Sequence, residues 1–212
     1  MAQKTERLLP ILTGQPVIPV LKIDRLDDVE PLARALVAGG LPAIEITLRT
    51  PVALEAIRLA SRVEGAIVGA GTILNAADFG AAQAAGAAFI VSPGATGAVF
   101  DAADASDIPL LPGAITPSEL MSALARGYSV LKFFPAEQAG GVAYLKSLAS
   151  PFAAVRFCPT GGIGAANAPD YLKLPNVICV GGSWIAPDAA IMAGDWAEIT
   201  RLSREAAAIA RH

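Results

Sequence analysis

The sequence predicts an α/β protein of the (β/α)8 (TIM) barrel class, one domain over residues 1–212 with an extra helix at its N-terminus. Eight short, apolar, β-rich runs alternate with Ala- and Leu-rich segments of helical spacing, the pattern of a parallel sheet. Eight strand–helix units of roughly 20 to 25 residues each make a barrel. No G-x-G-x-x-G follows the first run, which weighs against the runner-up, a doubly wound open sheet. At 212 residues the chain is shorter than the typical barrel of about 250, so the loops must be tight.

Taken in order, residues 2–13 read as a short helix with Leu8, Leu9 and Leu12 on one side. Pro10 falls inside it and predicts a kink or an early end. The strand runs are Val17–Leu21, Ala43–Leu48, Ala66–Gly69, Ala88–Ser92, Pro109–Pro112, Val130–Phe134, Val155–Cys158 and Val177–Val180. Helices are predicted over Asp27–Ala38, Pro51–Val63, Asn75–Ala85, Gly97–Ala105, Pro117–Ala125, Gly140–Leu148 and Ala165–Leu172, with a last helix from near Asp195 to the chain end. Thr50-Pro51, Thr116-Pro117 and Ala186-Pro187-Asp188 are helix-start punctuation. Gly39-Gly40, Gly86 and Gly127 are helix terminators.

Composition narrows the function. Apolar residues make up 54% of the chain, and 16 basic against 19 acidic residues leave a net charge of −3. That argues against a general nucleic-acid binder, which needs a basic footprint. Gln3, Lys4, Glu6 and Arg7 interrupt any signal-peptide core, and no apolar run reaches membrane-span length. The expectation is a soluble, cytoplasmic protein without membrane contact. Cys158 and Cys179 both sit in apolar runs and read as small buried hydrophobes rather than a redox pair. The single histidine is His212, the last residue. A Ser-His-Asp triad, a Cys-His pair and a histidine-ligated zinc site are thereby disfavoured, and proton transfer falls to a carboxylate, lysine, tyrosine or water.

One run breaks the apolar rule. Ser129–Glu137 has the composition of a buried strand yet carries Lys132 at its centre. A buried ammonium is costly unless paired or deprotonated, so a lysine kept there is either a functional amine with a lowered pKa or an edge-strand charge facing solvent. Strand period 2 puts Ala43, Glu45, Thr47 and Arg49 on one face and Ile44, Ile46 and Leu48 on the other. Glu45 and Arg49 then point into the barrel mouth, where the active site of this fold lies; the bland alternative is a structural Glu45–Arg49 ion pair. The ends of the other strands add Thr72, Ser92-Pro93, Pro112-Gly113, Cys158-Pro159-Thr160-Gly161-Gly162 and Gly181-Gly182-Ser183-Trp184. Glycine-rich turns after strands seven and eight are the usual phosphate site of the fold, unless they serve only as tight turns. Thr72 and Thr160 could equally cap helices. Phe134 reads as a core or pocket-wall residue, Trp184 as packing, Glu137 as solvent-facing or a helix-start charge, and Lys22 and Lys146 as surface residues.

An amine, a carboxylate, an arginine and a phosphate nest converging on one cavity suit one substrate class. The amine can form a Schiff base with a ketone, and the carboxylate can shuttle protons. The arginine can hold a substrate carboxylate bidentately, and the nest can hold a distal phosphate. The substrate is then a phosphorylated 2-keto acid, and its natural chemistry is retro-aldol cleavage. Two other classes stay open: a phosphate-binding barrel isomerase or synthase using Glu45 as base, and a non-catalytic metabolite-binding barrel.

The segments Val37–Gly40, Ile44–Thr50, Val68–Thr72, Ser92–Gly94, Lys132–Glu137, Arg156–Ile163 and Gly181–Trp184 together closely resemble the 2-keto-3-deoxy-6-phosphogluconate (KDPG) aldolase family, along nearly the whole chain. The resemblance implies a class I, metal- and cofactor-free aldolase of the Entner–Doudoroff pathway. Such enzymes are usually homotrimers and split KDPG into pyruvate and glyceraldehyde 3-phosphate. It implies Lys132 as the Schiff-base residue and Glu45 as the general acid/base. It further assigns Arg49 and Thr72 to the pyruvyl carboxylate, Pro93 and Phe134 to the pocket wall, and Thr160 to the substrate's flank. Gly161, Gly162, Gly182 and Ser183 are assigned to the phosphate. The family often also cleaves 4-hydroxy-2-oxoglutarate. Thr47–Thr50 and Pro159–Gly162 look like the gluconate-type enzyme rather than its galactonate-epimer sister, and Ala114–Pro117 departs a little from the familiar pattern.

Overall fold

Eight parallel strands alternate with helices along the chain; the computed structural model describes residues 3–211. The strands are β1 (Val17–Leu21), β2 (Ala43–Thr47), β3 (Ile67–Gly71), β4 (Phe89–Val91), β5 (Leu110–Leu111), β6 (Val130–Phe133), β7 (Arg156–Pro159) and β8 (Val180–Gly182). A leading helix α1 (Thr5–Thr13) precedes them. The helices between them are α2 (Val29–Ala38), α3 (Ala53–Ala60), α4 (Ala76–Ala84), α5 (Gly97–Asp104), α6 (Pro117–Ala125), α7 (Gly141–Leu148) and α8 (Ala168–Leu172). Two more, α9 (Asp188–Ala193) and α10 (Trp196–Ala207), follow β8.

The regular ladders fall into a six-stranded sheet, order β5-β4-β3-β2-β1-β8, and a two-stranded sheet, β6-β7. At both seams between them the pairing thins to isolated parallel bridges. Gly113 pairs with Lys132 between β5 and β6, and Phe157 with Val177 and Thr160 with Gly181 on the β7–β8 side. The α/β class and the parallel alternation expected from the sequence are present; the single eight-strand ladder of the simplest barrel is not.

Alternate residues of each strand pack in two different clusters. Val17, Ile44, Ile46, Val68, Ala70, Ile90, Leu131, Phe133 and Phe157 join the large cluster with the helices. Ile18, Ala43, Phe89, Val91, Leu111, Val130, Cys158 and Cys179 gather on the concave face with Leu8 and Leu12 of α1. The period-2 split of β2 is therefore as read from the sequence. Helix α1 runs through Pro10 to Thr13 and plugs the N-terminal end of the curled sheet. The free, buried cysteines are part of that packing.

Two glutamines flanking α1 replace missing ladder bonds. The Gln3 amide donates to the carbonyls of Leu110 and Val130, both at 2.9 Å, and its oxygen accepts from the Val130 N–H at 3.1 Å. Gln15 donates to the Val17 and Ala43 carbonyls at 2.7 and 2.8 Å and accepts from the Ala43 N–H at 2.7 Å. Each satisfies strand-start groups that burial would otherwise leave unpaired.

Most element boundaries differ from expectation by a residue or two. β3 continues to Gly71 because its glycines face the concave side and leave room for other side chains: a Cβ on Gly69 would lie 2.3 Å from the Phe89 ring. β8 shifts to Val180–Gly182, where Ile18 pairs with Gly181. Helix α8 starts only at Ala168, because Asn167 spends its side chain on Gly164 N–H (2.8 Å) and Gly162 O (3.2 Å). The short α9 had only its Pro187-Asp188 start marked. Asn75 caps α4, a Thr116–Glu119 capping box starts α6, and Asp195 caps α10.

Candidate active site

Lys132 lies on β6 and Glu45 on β2, four places apart around the strand order. In a flat sheet they would be about 19 Å apart at the usual 4.8 Å strand spacing. Instead Lys132 Nζ is 3.1 Å from Glu45 Oε1 and 3.5 Å from Oε2. The sheet curls until these concave faces meet. Lys132 is 5% and Glu45 3% exposed, so each charge answers the cost of burying the other. Lys132 is thus no edge-strand charge.

Neighbouring residues are shaped around this pair. Gly71 gives up its side chain to Glu45: a Cβ there would lie 2.0 Å from Oε1. The Phe134 ring, half-buried just past β6, stands 5.4 Å from Lys132 Nζ, a cation–π distance. Glu45 is paired with Lys132, and no ion pair joins it to Arg49 among the described residues. Arg49 is exposed, and its Nε donates to Thr47 Oγ1 at 2.8 Å, while the buried Thr47 hydroxyl donates to the Leu21 carbonyl at 2.8 Å.

The remaining expected residues ring the C-terminal strand ends. Thr72 follows β3 with φ +61°, a left-handed conformation rare for a β-branched residue and characteristic of functional sites. Pro93, half-buried beyond β4, has its carbonyl pressed against Gly113, where a Cβ would come within 2.1 Å. Thr160 is 6% exposed, packs on Gly181, and its Oγ1 has no partner among the described residues. Gly161 and Gly162 turn with φ +105° and +73°. Gly182 lies under the Trp184 ring, and Ser183 is exposed. Neither threonine is a helix cap: those positions belong to Asn75 for α4 and Asn167 for α8.

A cavity of about 200 Å³ lies between the ends of β1, β2 and β8, lined by Leu21, Lys22, Arg49, Ser183, Asp188 and Ile191 among others. It brings Arg49 together with Ser183, but its wall does not include Lys132 or Glu45. Lys22 is exposed and paired with Asp24 at 2.8 Å, as a surface lysine should be, yet it also lines this cavity. Its place directly after β1 was the available signal. Thr47 was placed on the Glu45 face, but its bond to Arg49 and the Glu137–Tyr171 hydrogen bond were missed. Glu137 is exposed overall, but its carboxylate is taken by the Tyr171 hydroxyl rather than by solvent alone.

Fold and site together define a class: an α/β enzyme with a buried amine and carboxylate at the C-terminal ends of parallel strands. The family model for KDPG and KHG aldolase matches residues 9–202. The 2-dehydro-3-deoxy-phosphogluconate aldolase of Pseudomonas aeruginosa is 49% identical over 207 residues, covering 97% of this chain and 94% of that protein. The structure of 2-keto-3-deoxy-6-phospho-gluconate aldolase from Zymomonas mobilis superposes with TM-score 0.93 at 50% identity, over 96% and 98% of the two chains. That of the Legionella pneumophila KDPG aldolase, with pyruvate captured as a covalent carbinolamine intermediate, gives TM-score 0.91 at 47% identity, over 93% and 97%. The chain belongs to the KDPG and KHG aldolase family, and it is a lyase.

Proposed function

We propose that the chain cleaves 2-keto-3-deoxy-6-phosphogluconate to pyruvate and glyceraldehyde 3-phosphate through a Schiff base on Lys132. The observation that carries this is the buried contact of 3.1 Å between Lys132 Nζ and Glu45 Oε1. An attacking amine must first lose a proton, and Glu45 is within reach to take it. Lys132 then adds to the C2 ketone, and the carbinolamine loses water to give an iminium. Glu45 takes the C4 hydroxyl proton, the C3–C4 pair flows into the iminium, and the aldehyde departs. The enamine left behind takes a proton at C3 from Glu45, directly or through water. Hydrolysis then frees pyruvate and Lys132.

Arg49 and Thr72 hold the pyruvyl carboxylate, Pro93 and Phe134 wall the pocket, and Thr160 flanks the substrate. The phosphate sits against Gly161, Gly162, Gly182 and Ser183; the positive φ of Gly161 and Gly162 supports a turn whose N–H groups converge on an anion. The same site cleaves 4-hydroxy-2-oxoglutarate as a side activity. This reading includes one domain over the chain, a closed (β/α)8 barrel, and a cytoplasmic homotrimer without metal or cofactor. The seam bridges support closure, and the family resemblance supports the rest. No described helix is long and apolar enough to cross a membrane.

Borohydride reduction in the presence of pyruvate, followed by peptide mass mapping, tests the assignment. The expected result is one reduced pyruvyl adduct, on Lys132. A label on another residue, or none, overturns it.

A further inference from the structure

We infer that Glu137 and Tyr171 are positioning residues for the Gly161-Gly162 turn, a claim that rests on the reading above that this turn receives the substrate phosphate. The turn is held from two sides. From the β6 side, Ala136 N–H donates to Thr160 O at 2.8 Å and Glu137 N–H to Gly161 O at 3.1 Å. The Glu137 side chain occupies the place a side chain on residue 162 would need: a Cβ on Gly162 would lie 2.7 Å from Glu137 Cγ and 2.8 Å from its Cβ. From the other side, Asn167 bonds Gly164 N–H and Gly162 O.

The Tyr171 hydroxyl ties these sides together. Tyr171 is fully buried on α8 and donates to Glu137 Oε1. Gly141 makes room for both, since a Cβ there would come within 3.1 Å of the hydroxyl and 3.3 Å of the carboxylate. Burial first, and the Glu137 carboxylate second, push the Tyr171 pKa up, so the hydroxyl remains a donor throughout the working pH range. This matters because a carboxylate beside a phosphate turn repels the phosphate at close range. Bonded to Tyr171, the carboxylate is fixed with part of its charge answered by a donor. Released, it is a mobile negative charge on the segment that packs against Gly162.

The test separates phosphate handling from chemistry. KM and kcat on KDPG are measured by coupled pyruvate release, and pyruvate methyl-proton exchange, which needs no phosphate, is followed by NMR. Tyr171→Phe and Glu137→Ala are expected to raise KM by about tenfold, the scale of one lost hydrogen bond to a charged group. Both should leave kcat and the exchange rate within about twofold. Glu137→Gln keeps an oxygen for the Tyr171 hydroxyl and should hold KM at or below the wild-type value. An unmoved KM in Tyr171→Phe overturns the inference. So does a rise in KM matched by an equal fall in the exchange rate, or a Glu137→Gln that behaves like Glu137→Ala. A wild-type chain that neither cleaves KDPG nor exchanges pyruvate protons overturns the parent reading as well; a working enzyme indifferent to these substitutions overturns only this one.

Discussion

At the scale of single residues, function is carried by side chains placed where their chemistry is costly. Glu45 tests this most directly. Glu45→Gln keeps the shape and a hydrogen-bonding oxygen for Lys132 but removes the proposed proton carrier. Pyruvate methyl exchange should slow by roughly 10²- to 10⁴-fold, the usual share of a general acid/base, while borohydride still traps pyruvate on Lys132. Unchanged exchange would remove Glu45 from the mechanism. Gly71→Ala makes the same point without touching a functional group. Its methyl would lie 2.0 Å from Glu45 Oε1, so the carboxylate must move, and a displacement near 1 Å costs about 10²-fold in kcat. A Gly71→Ala enzyme with wild-type kcat would show that the position of the carboxylate is not critical.

Thr72 shows the opposite balance. Its left-handed backbone costs about 1 to 3 kcal/mol for a residue with a branched Cβ. Glycine relieves that but adds roughly 0.5–1 kcal/mol of unfolded-state entropy. Relief should win: Thr72→Gly should unfold at slightly higher denaturant than wild type while binding pyruvate more weakly. A drop in the denaturation midpoint would mean the hydroxyl is holding the fold. Lys132 and Glu45 were legible in the sequence because a charge inside an apolar strand breaks the pattern. Glu137 and Tyr171 were not, because their bond spans 34 positions and neither residue is unusual where it stands.

At the scale of elements, alternation made nearly every strand and helix legible, and side-chain hydrogen bonds decided the departures. Asn167 cuts α8 short by bonding its own loop, and the glycines of β3 and β8 hid the C-terminal ends of strands that β-branched residues would have announced. Least visible was the role of the segment around α1. Its leucines read as one face of a helix, but nothing in their spacing said which surface they cover. Gln3 and Gln15 flank α1, and both are buried and each bonds two strand starts. Gln15→Ala would strand the Ala43 N–H and remove a donor from two carbonyls. At about 1–3 kcal/mol for a buried group left unpaired, a loss of about 3 kcal/mol is expected in urea titration. Activity per folded molecule should be unchanged, because Gln15 acts at the end of the strands opposite the site. A loss below about 0.5 kcal/mol, the range of a surface substitution, would show that water replaces the glutamine.

At the scale of the whole molecule, the question is whether six strands and two strands form one ring. Lys132 needs neighbours on both sides to stay buried, and its own backbone forms the β5–β6 seam. Its N–H donates to Pro112 O at 2.9 Å, and its carbonyl accepts from Ala114 N–H at 2.9 Å. At the other seam, Phe157 N–H donates to Asn176 O at 2.8 Å, and Ile178 N–H donates to Phe157 O at 3.0 Å. If the ring is closed, opening a seam exposes the concave face, so these bonds should break only when much of the fold does. Native-state hydrogen exchange reads this directly. The amides of Lys132, Ala114, Phe157 and Ile178 should exchange with opening free energies close to those of the β2–β3 ladder, near the global value. An open sheet would instead fray at its edges, and the seam amides would exchange about 10² times faster or more, since each 1.4 kcal/mol of easier opening is tenfold. Fast exchange at β5–β6 alone would place the opening beside Lys132, the residue proposed above to carry the Schiff base.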